Sequence, residues 1–267
     1  MLTFMLSCST SDSEAPPATS IPKLVKIVGG ITGETWNFNE DGLLSEIKNG
    51  SGVVIRSFTY DINNNLISTV GPNGTTTYVY DSNNRLSSVN GSELTYDAAN
   101  NRYFIDYPPV VQNPDDFINY WEITLTDEGL PINSTNYYGA DSATYPYSFS
   151  NYIYTNGNMT RHHRSDDTEQ NYLYDSNPNP LKEALLPISK VMWGSWNGSD
   201  NSGNYLSNNN VVALSYAWED PESSQMVFTY NSLGLPITRT TQSLYNGDLD
   251  GAPYTTYYYY EGDIIPL

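Results

Sequence analysis

Ser57–Leu66 reads SFTYDINNNL: an aromatic strand ending in Tyr-Asp, an Asn-rich turn and an apolar restart. It returns almost verbatim at Tyr78–Leu86, YVYDSNNRL, and in looser form several more times. Aligning the copies on the large residue before the turn gives Phe38, Tyr60, Tyr80, Tyr96, Leu125, Tyr154, Tyr174 and Tyr230. Two positions earlier stand Trp36, Phe58, Tyr78, Leu94, Ile123, Tyr152, Tyr172 and Phe228. Between them lie Asn37, Thr59, Val79, Thr95, Thr124, Ile153, Leu173 and Thr229, which are mostly β-branched and often polar. Alternate side chains of a strand point to opposite faces, so this period of two places bulky rings on one face and mixed residues on the other.

The turns agree with strands. Asn39-Glu40-Asp41-Gly42, Asp61-Ile62-Asn63-Asn64, Asp81-Ser82-Asn83-Asn84, Asp127-Glu128-Gly129, Asn156-Gly157 and Asn231-Ser232-Leu233-Gly234 consist of residues that tolerate positive φ or bond back to their own backbone. Leu43-Leu44, Leu66, Leu86, Leu130, Met159 and Leu235 then start the return strand. The first three anchors stand about 20 residues apart, room for two strands of about five to six residues and two turns. The reading is an all-β, antiparallel, up-and-down array of hairpin repeats that forms a barrel or deep half-barrel. Closure is favoured because it removes exposed edges. An open twisted sheet of the same hairpins is the alternative, and the strand total is not legible.

On these motifs the chain resembles YD (Rhs-type) repeats, the hairpin units of β-shells in bacterial wall-associated and toxin proteins. Together with its N-terminus, the chain looks more closely like uncharacterised Bacteroidetes lipoproteins with a porin-like β fold. The Tyr-Asp pair itself stands at Tyr60, Tyr80, Tyr96 and Tyr174. The resemblance implies a porin-like fold and carries over no catalytic residue.

Composition narrows the function. The formal net charge is −19 over 267 residues, which argues against nucleic-acid binding and against adsorption to anionic lipid. With 24 tyrosines and 13% aromatic residues, the chain suits a broad sheet with one aromatic face and not a disordered one. No stretch approaches the ~20 apolar residues of a spanning helix. A membrane-spanning barrel is also disfavoured, because Asn37, Thr59, Thr95, Thr124 and Thr229 occupy the face that would need an apolar band.

Cys8, the single cysteine, follows Leu6-Ser7 and precedes a polar tail, like the lipobox cysteine of a bacterial lipoprotein. Residues 1–8 then read as a truncated lipoprotein signal, with Cys8 carrying the lipid, and 9–22 as a flexible Ser/Thr/Pro/acidic tether. Asp12 and Glu14 resemble a surface-export signal. Residues 23–267 read as a single β-repeat domain. The expected location is the outer membrane as a lipoprotein, surface-exposed or facing the periplasm.

Asn179–Ser189 has helical character: Leu181, Leu185 and Leu186 recur with Pro180 at the first turn, and Pro187 is expected to limit the helix to about two turns, plugging one end of the sheet. Trp193–Asn210 reads as irregular. Its Trp193, Trp196 and Tyr205 are candidate glycan-stacking residues, with Asn197, Asp200 and Asn204 as hydroxyl partners; the alternative is packing under a loop. Asn246–Gly251, NGDLDG, makes Asn246, Asp248 and Asp250 a calcium candidate, although Tyr257 stands where a calcium loop ends in Glu; the alternative is a hairpin turn. His162 and His163 are adjacent and should face opposite sides of a strand. There is no Gly-x-Ser-x-Gly elbow and no catalytic residue is assigned. Three function classes follow: a lipid-anchored envelope or surface protein with a non-catalytic binding or structural role; a glycan-binding module of a polysaccharide-uptake system; and a glycan-active enzyme. No cofactor other than calcium is implied.

Overall fold

The computed structural model describes residues 21–30, 32–106, 118–138, 145–192, 202–217 and 222–265. The strands are β1 (Leu24–Gly29), β2 (Glu34–Phe38), β3 (Leu44–Lys48), β4 (Val54–Tyr60), β5 (Leu66–Gly71), β6 (Gly74–Tyr80), β7 (Leu86–Val89), β8 (Ser92–Asp97) and β9 (Arg102–Asp106). They continue as β10 (Ile118–Leu125), β11 (Pro131–Tyr138), β12 (Tyr145–Thr155), β13 (Asn158–Arg164), β14 (Glu169–Pro178), β15 (Asn209–Tyr216), β16 (Glu222–Tyr230), β17 (Pro236–Tyr245) and β18 (Asp248–Tyr260). Helices α1 (Pro180–Met192) and α2 (Ser202–Leu206) stand between β14 and β15.

Each strand pairs antiparallel with its neighbours in sequence, and β18 returns to pair with β1, Leu24 opposite Tyr260 and Val28 opposite Tyr257. The sheet is therefore a closed 18-stranded up-and-down barrel, with no free edge among its strands. Of the two sequence readings, barrel or open sheet, the barrel is the one found.

The repeat explains the local geometry. Asp61 Oδ1 accepts the backbone N–H groups of Asn63 (2.8 Å) and Asn65 (2.9 Å), and Asp81 Oδ1 does the same for Asn83 and Arg85. Asn64 and Asn84 take the left-handed conformation, φ 64° and 62°, which is why Asn fills that position and Gly42 or Gly234 replaces it elsewhere. Hydrogen bonds from the Arg85 backbone, then from the Arg85 side chain, hold the Asp81 carboxyl below the ordinary carboxylate range.

After each such turn the return strand bulges. Tyr60 is opposite Leu66 but Thr59 is opposite Ser68, leaving Ile67 as an extra residue. The same shift occurs at Phe38/Leu44, Tyr80/Leu86, Leu125/Pro131, Tyr154/Met159 and Tyr230/Pro236. Where the bulge interrupts the ladder, a tyrosine of a neighbouring strand supplies the donor. Tyr60 Oη donates to Leu44 O (2.6 Å), Tyr80 Oη to Leu66 O (2.9 Å), Tyr260 Oη to Pro236 O (3.0 Å), and Tyr174 Oη to Met159 O. Each bond contributes about 1 kcal/mol net, and the ring beside it far more by burial. This accounts for tyrosine, rather than phenylalanine, in the repeat.

The ring-bearing face is the interior. Phe58, Tyr78, Ile123, Tyr152 and Tyr172 are buried, and Trp36, Leu94 and Phe228 pack against the same two clusters. The exterior carries ion pairs in mid-strand, Lys48 with Glu46 (2.8 Å), Arg102 with Glu122 (2.8 Å) and Arg161 with Glu169. Between them the same face exposes Val79, Ile153, Leu173 and Val227. No described helix is long and apolar enough to cross a membrane.

Helix α1 fills the lumen. Asn179 caps it, its Oδ1 accepting from Leu181 N (3.1 Å), and Pro180 takes the first position. Leu181, Ala184, Leu185, Ile188 and Val191 form one buried stripe against inward residues of β1–β10. The expectation that Pro187 ends the helix is corrected: α1 runs through it to Met192. An interior proline costs about 3 kcal/mol. Burying Ile188 and Val191 beyond it returns roughly 1.5–3 kcal/mol each, so continuation wins. The sequence reading of 193–210 as irregular is also corrected where the chain is described, because α2 and the start of β15 lie within it.

Candidate functional site

The turns after β4, β6, β8, β10, β12 and β16 share one mouth of the barrel, and the α1–α2 segment is fastened there. Asn179 N bonds Asn208 O (2.8 Å), Asn208 N bonds Gly157 O (3.0 Å), and Lys182 Nζ reaches Asn208 Oδ1 (2.6 Å) and Glu128 Oε2 (3.4 Å). The plug separates two cavities.

The first, ≈ 290 Å³, lies between these turns and the C-terminal half of α1, with Tyr80, Arg85, Tyr96, Tyr103, Glu128 and Lys190 among its walls. Arg85 pairs with Asp81 (2.9 Å) and stands 4.9 Å over the Tyr96 ring, which lies 4.9 Å from that of Tyr103. Burial pushes the Tyr103 hydroxyl up to about 12.

The second, ≈ 190 Å³, lies toward the opposite mouth, beneath the β1–β2 turn, with Leu181 and Tyr205 on the plug side. Glu34, Trp36, Arg239, Tyr254 and Thr256 complete it. The Trp36 and Tyr205 rings are 6.2 Å apart and tilted by 34°, and Trp36 Nε1 donates to Glu34 Oε2 (3.3 Å). Arg239 is opposite both Phe228 and Thr256, hence inward-facing. Its guanidinium offsets part of the upward push that burial gives the Tyr258 hydroxyl.

Of the glycan candidates, Tyr205 is buried against Trp36 on this cavity. Trp193 and Trp196 lie outside the described residues, as do Asn197, Asp200 and the lipidation candidate Cys8. The calcium candidate is a two-residue hairpin turn. Asn246 and Gly247 take φ 51° and 84° and join Tyr245 directly to Asp248, the Asn-Gly signature of such turns. Asp248 and Asp250 then stand two apart on exposed extended chain. Among the described residues, no group of three or more His, Cys, Asp or Glu is placed to hold a metal ion.

His162 and His163 face opposite ways. His162 is buried, stacked 4.5 Å from the Tyr152 ring with its Nδ1 3.2 Å from Gln170 Oε1; His163 packs outside against Phe149. Inward residues that the sequence reading did not single out include Glu34, Arg56, Gln170 and Arg239.

Residues 38–76 and 63–93 match the family model described as RHS Repeat. The hairpins of that stretch are similar to Rhs-type repeats. No curated protein sequence matches the chain. Among solved structures, the chain is similar to a porin-like protein from Bacteroides uniformis ATCC 8492, at 15% identity and TM-score 0.46, over 89% of this chain and 98% of that one. It is similar to a porin-like protein from Bacteroides vulgatus ATCC 8482, at 9% identity and TM-score 0.28, over 90% and 99%. A third likeness is to the Tc holotoxin pore of Photorhabdus luminescens, at 14% identity and TM-score 0.30, over 79% of this chain and 13% of that one. At these values the fold rests on the chain's own strand pairings.

Proposed function

We propose that this protein is a lipid-anchored envelope or surface protein with a non-catalytic binding or structural role, held to the outer membrane through Cys8 and the tether that follows it. The observation that carries the reading is a barrel sealed by its own seam, filled by its own helix and carrying ion pairs outside. Such a body suits a rigid display or binding element standing in water. Two titratable groups of the interior serve structure: His162 stacks on Tyr152, and Asp175 accepts from Asn177 N, Asn210 N and the Tyr230 hydroxyl.

In the cells that produce it, the protein should incorporate an alkynyl-palmitate label, and Cys8→Ser should lose it completely. A wild-type protein that stays unlabelled would contradict the anchor.

A second reading, capture of a glycan within a polysaccharide-uptake system, is favoured by the cavity walled by Trp36, Tyr205 and Tyr254 beside polar groups. Flat rings with few oriented polar partners suit sugar faces.

A further inference from the structure

We propose that the cavity beside Arg239 binds a small hydroxylated carboxylate of the uronic-acid class, a single acidic sugar ring. The inference rests on the binding reading above and gives it a ligand class.

The chain has 11 basic and 30 acidic residues, so an arginine without a carboxylate is unexpected on numbers alone. Arg85, Arg102, Arg161 and Arg164 are each ion-paired. Arg239 differs. Among the described residues no carboxylate stands within 4.0 Å of its guanidinium, and its buried Nε has no hydrogen-bond partner in the protein. Thr256 Oγ1, on the adjoining strand and lining the same cavity, is also buried and without a partner. So is Thr241 Oγ1, two residues along β17. The cost of leaving those three closed-off atoms unbonded falls on the fold; what a ligand in the cavity can bond is the rest of the Arg239 guanidinium, which lines it.

The chemistry of the missing partner follows from the walls. A guanidinium presents a planar fork that a carboxylate fits with two parallel bonds. Trp36, Tyr205 and Tyr254 supply aromatic wall for the apolar side of a saturated ring. Glu34 is another wall; it accepts from Trp36 Nε1, keeps acceptor capacity for ligand hydroxyls and opposes a second negative charge. The volume of ≈ 190 Å³ is below the ~300 Å³ at which drug-sized sites begin, which limits the ligand to about one ring. One carboxylate, one ring and several hydroxyls describe a uronate.

The test is calorimetric titration of the full chain, with Trp fluorescence as a second readout, using glucuronate, the uncharged methyl ester of glucuronate, and glucose. Glucuronate should bind, and the ester and glucose should each bind about tenfold more weakly or less, as loss of a charge-assisted pair implies. Arg239→Gln should remove that preference and keep the circular dichroism of the parent; Arg239→Lys should restore part of it. If Arg239→Gln does not fold, the acid-against-ester comparison on the unaltered protein decides alone. Equal binding of acid, ester and glucose, or an unchanged preference in folded Arg239→Gln, overturns the uronate inference and leaves the binding reading standing. No binding of any of the three overturns the uronate inference and the cavity-based glycan reading together.

Discussion

Gly29→Ala should destabilise the protein by about 3 kcal/mol, lowering the thermal midpoint by roughly 6–12 °C for a chain of this size. Gly29 ends β1 at the seam with β18, opposite Thr256, with φ 135°, a conformation that side-chain-bearing residues rarely adopt. A Cβ placed there would lie 2.4 Å from the Thr255 carbonyl oxygen and 2.8 Å from Thr256 Cα. Both contacts are with backbone, so no side chain can swing aside; relief requires the two strands to part. The loss therefore falls on the pairing that closes the barrel. Thermal and urea melts followed by circular dichroism give the number, and an unchanged midpoint would mean that β1 and β18 are not held as described.

Leu185→Ala should cost about 2–5 kcal/mol, the range for emptying a fully buried leucine site. Leu185 is 0% exposed in the middle of the α1 stripe, with Ile188 one turn on. The surrounding wall is a hydrogen-bonded sheet, which cannot collapse onto the cavity as a loop would, so the upper half of the range is expected. Leu173→Ala provides the contrast. Leu173 is 67% exposed on the outer face of β14, and its truncation should stay within about 0.5 kcal/mol. Equal losses at the two leucines would place α1 outside the barrel.

Much of the fold is legible from Phe58 and Tyr60, because alternation fixes which face is buried and Asp61 with Asn64 fixes the turn. Closure is not legible. Leu24 and Tyr260 are far apart in sequence, and nothing local distinguishes a hairpin row that meets itself from one that does not. The extent of α1 is hidden for the same reason: Pro187 is a local signal, and the burial that overrides it is tertiary.

Arg239 escaped for a more instructive cause. Counting alternately from Pro236 puts it outside, and the bulge that places Pro236 opposite Tyr230 and Thr238 opposite Thr229 turns it inward. The signal was present in the repeat itself once Pro236, opposite Tyr230, and not Leu235, is taken as the equivalent of Leu44 and Leu66. The restart residue and the one three later share the inner face at Leu44 and Ile47, Leu66 and Thr69, and Met159 and His162. Asn246-Gly247 was legible as a two-residue turn, which leaves Asp248 and Asp250 on strand.

The most direct test of the closed, self-sealed barrel is a disulfide across the seam. Val28 and Tyr257 are directly opposite on β1 and β18 and both point outward. Opposed strand residues stand about 4.5–5.5 Å apart at Cα, within the range a disulfide spans. With Cys8→Ser as background, Val28→Cys/Tyr257→Cys should oxidise to a single intramolecular bridge, as should the hairpin control Asn37→Cys/Glu46→Cys. Bridging in the control with none at the seam would contradict the closed barrel and remove the cavity on which the ligand assignment stands.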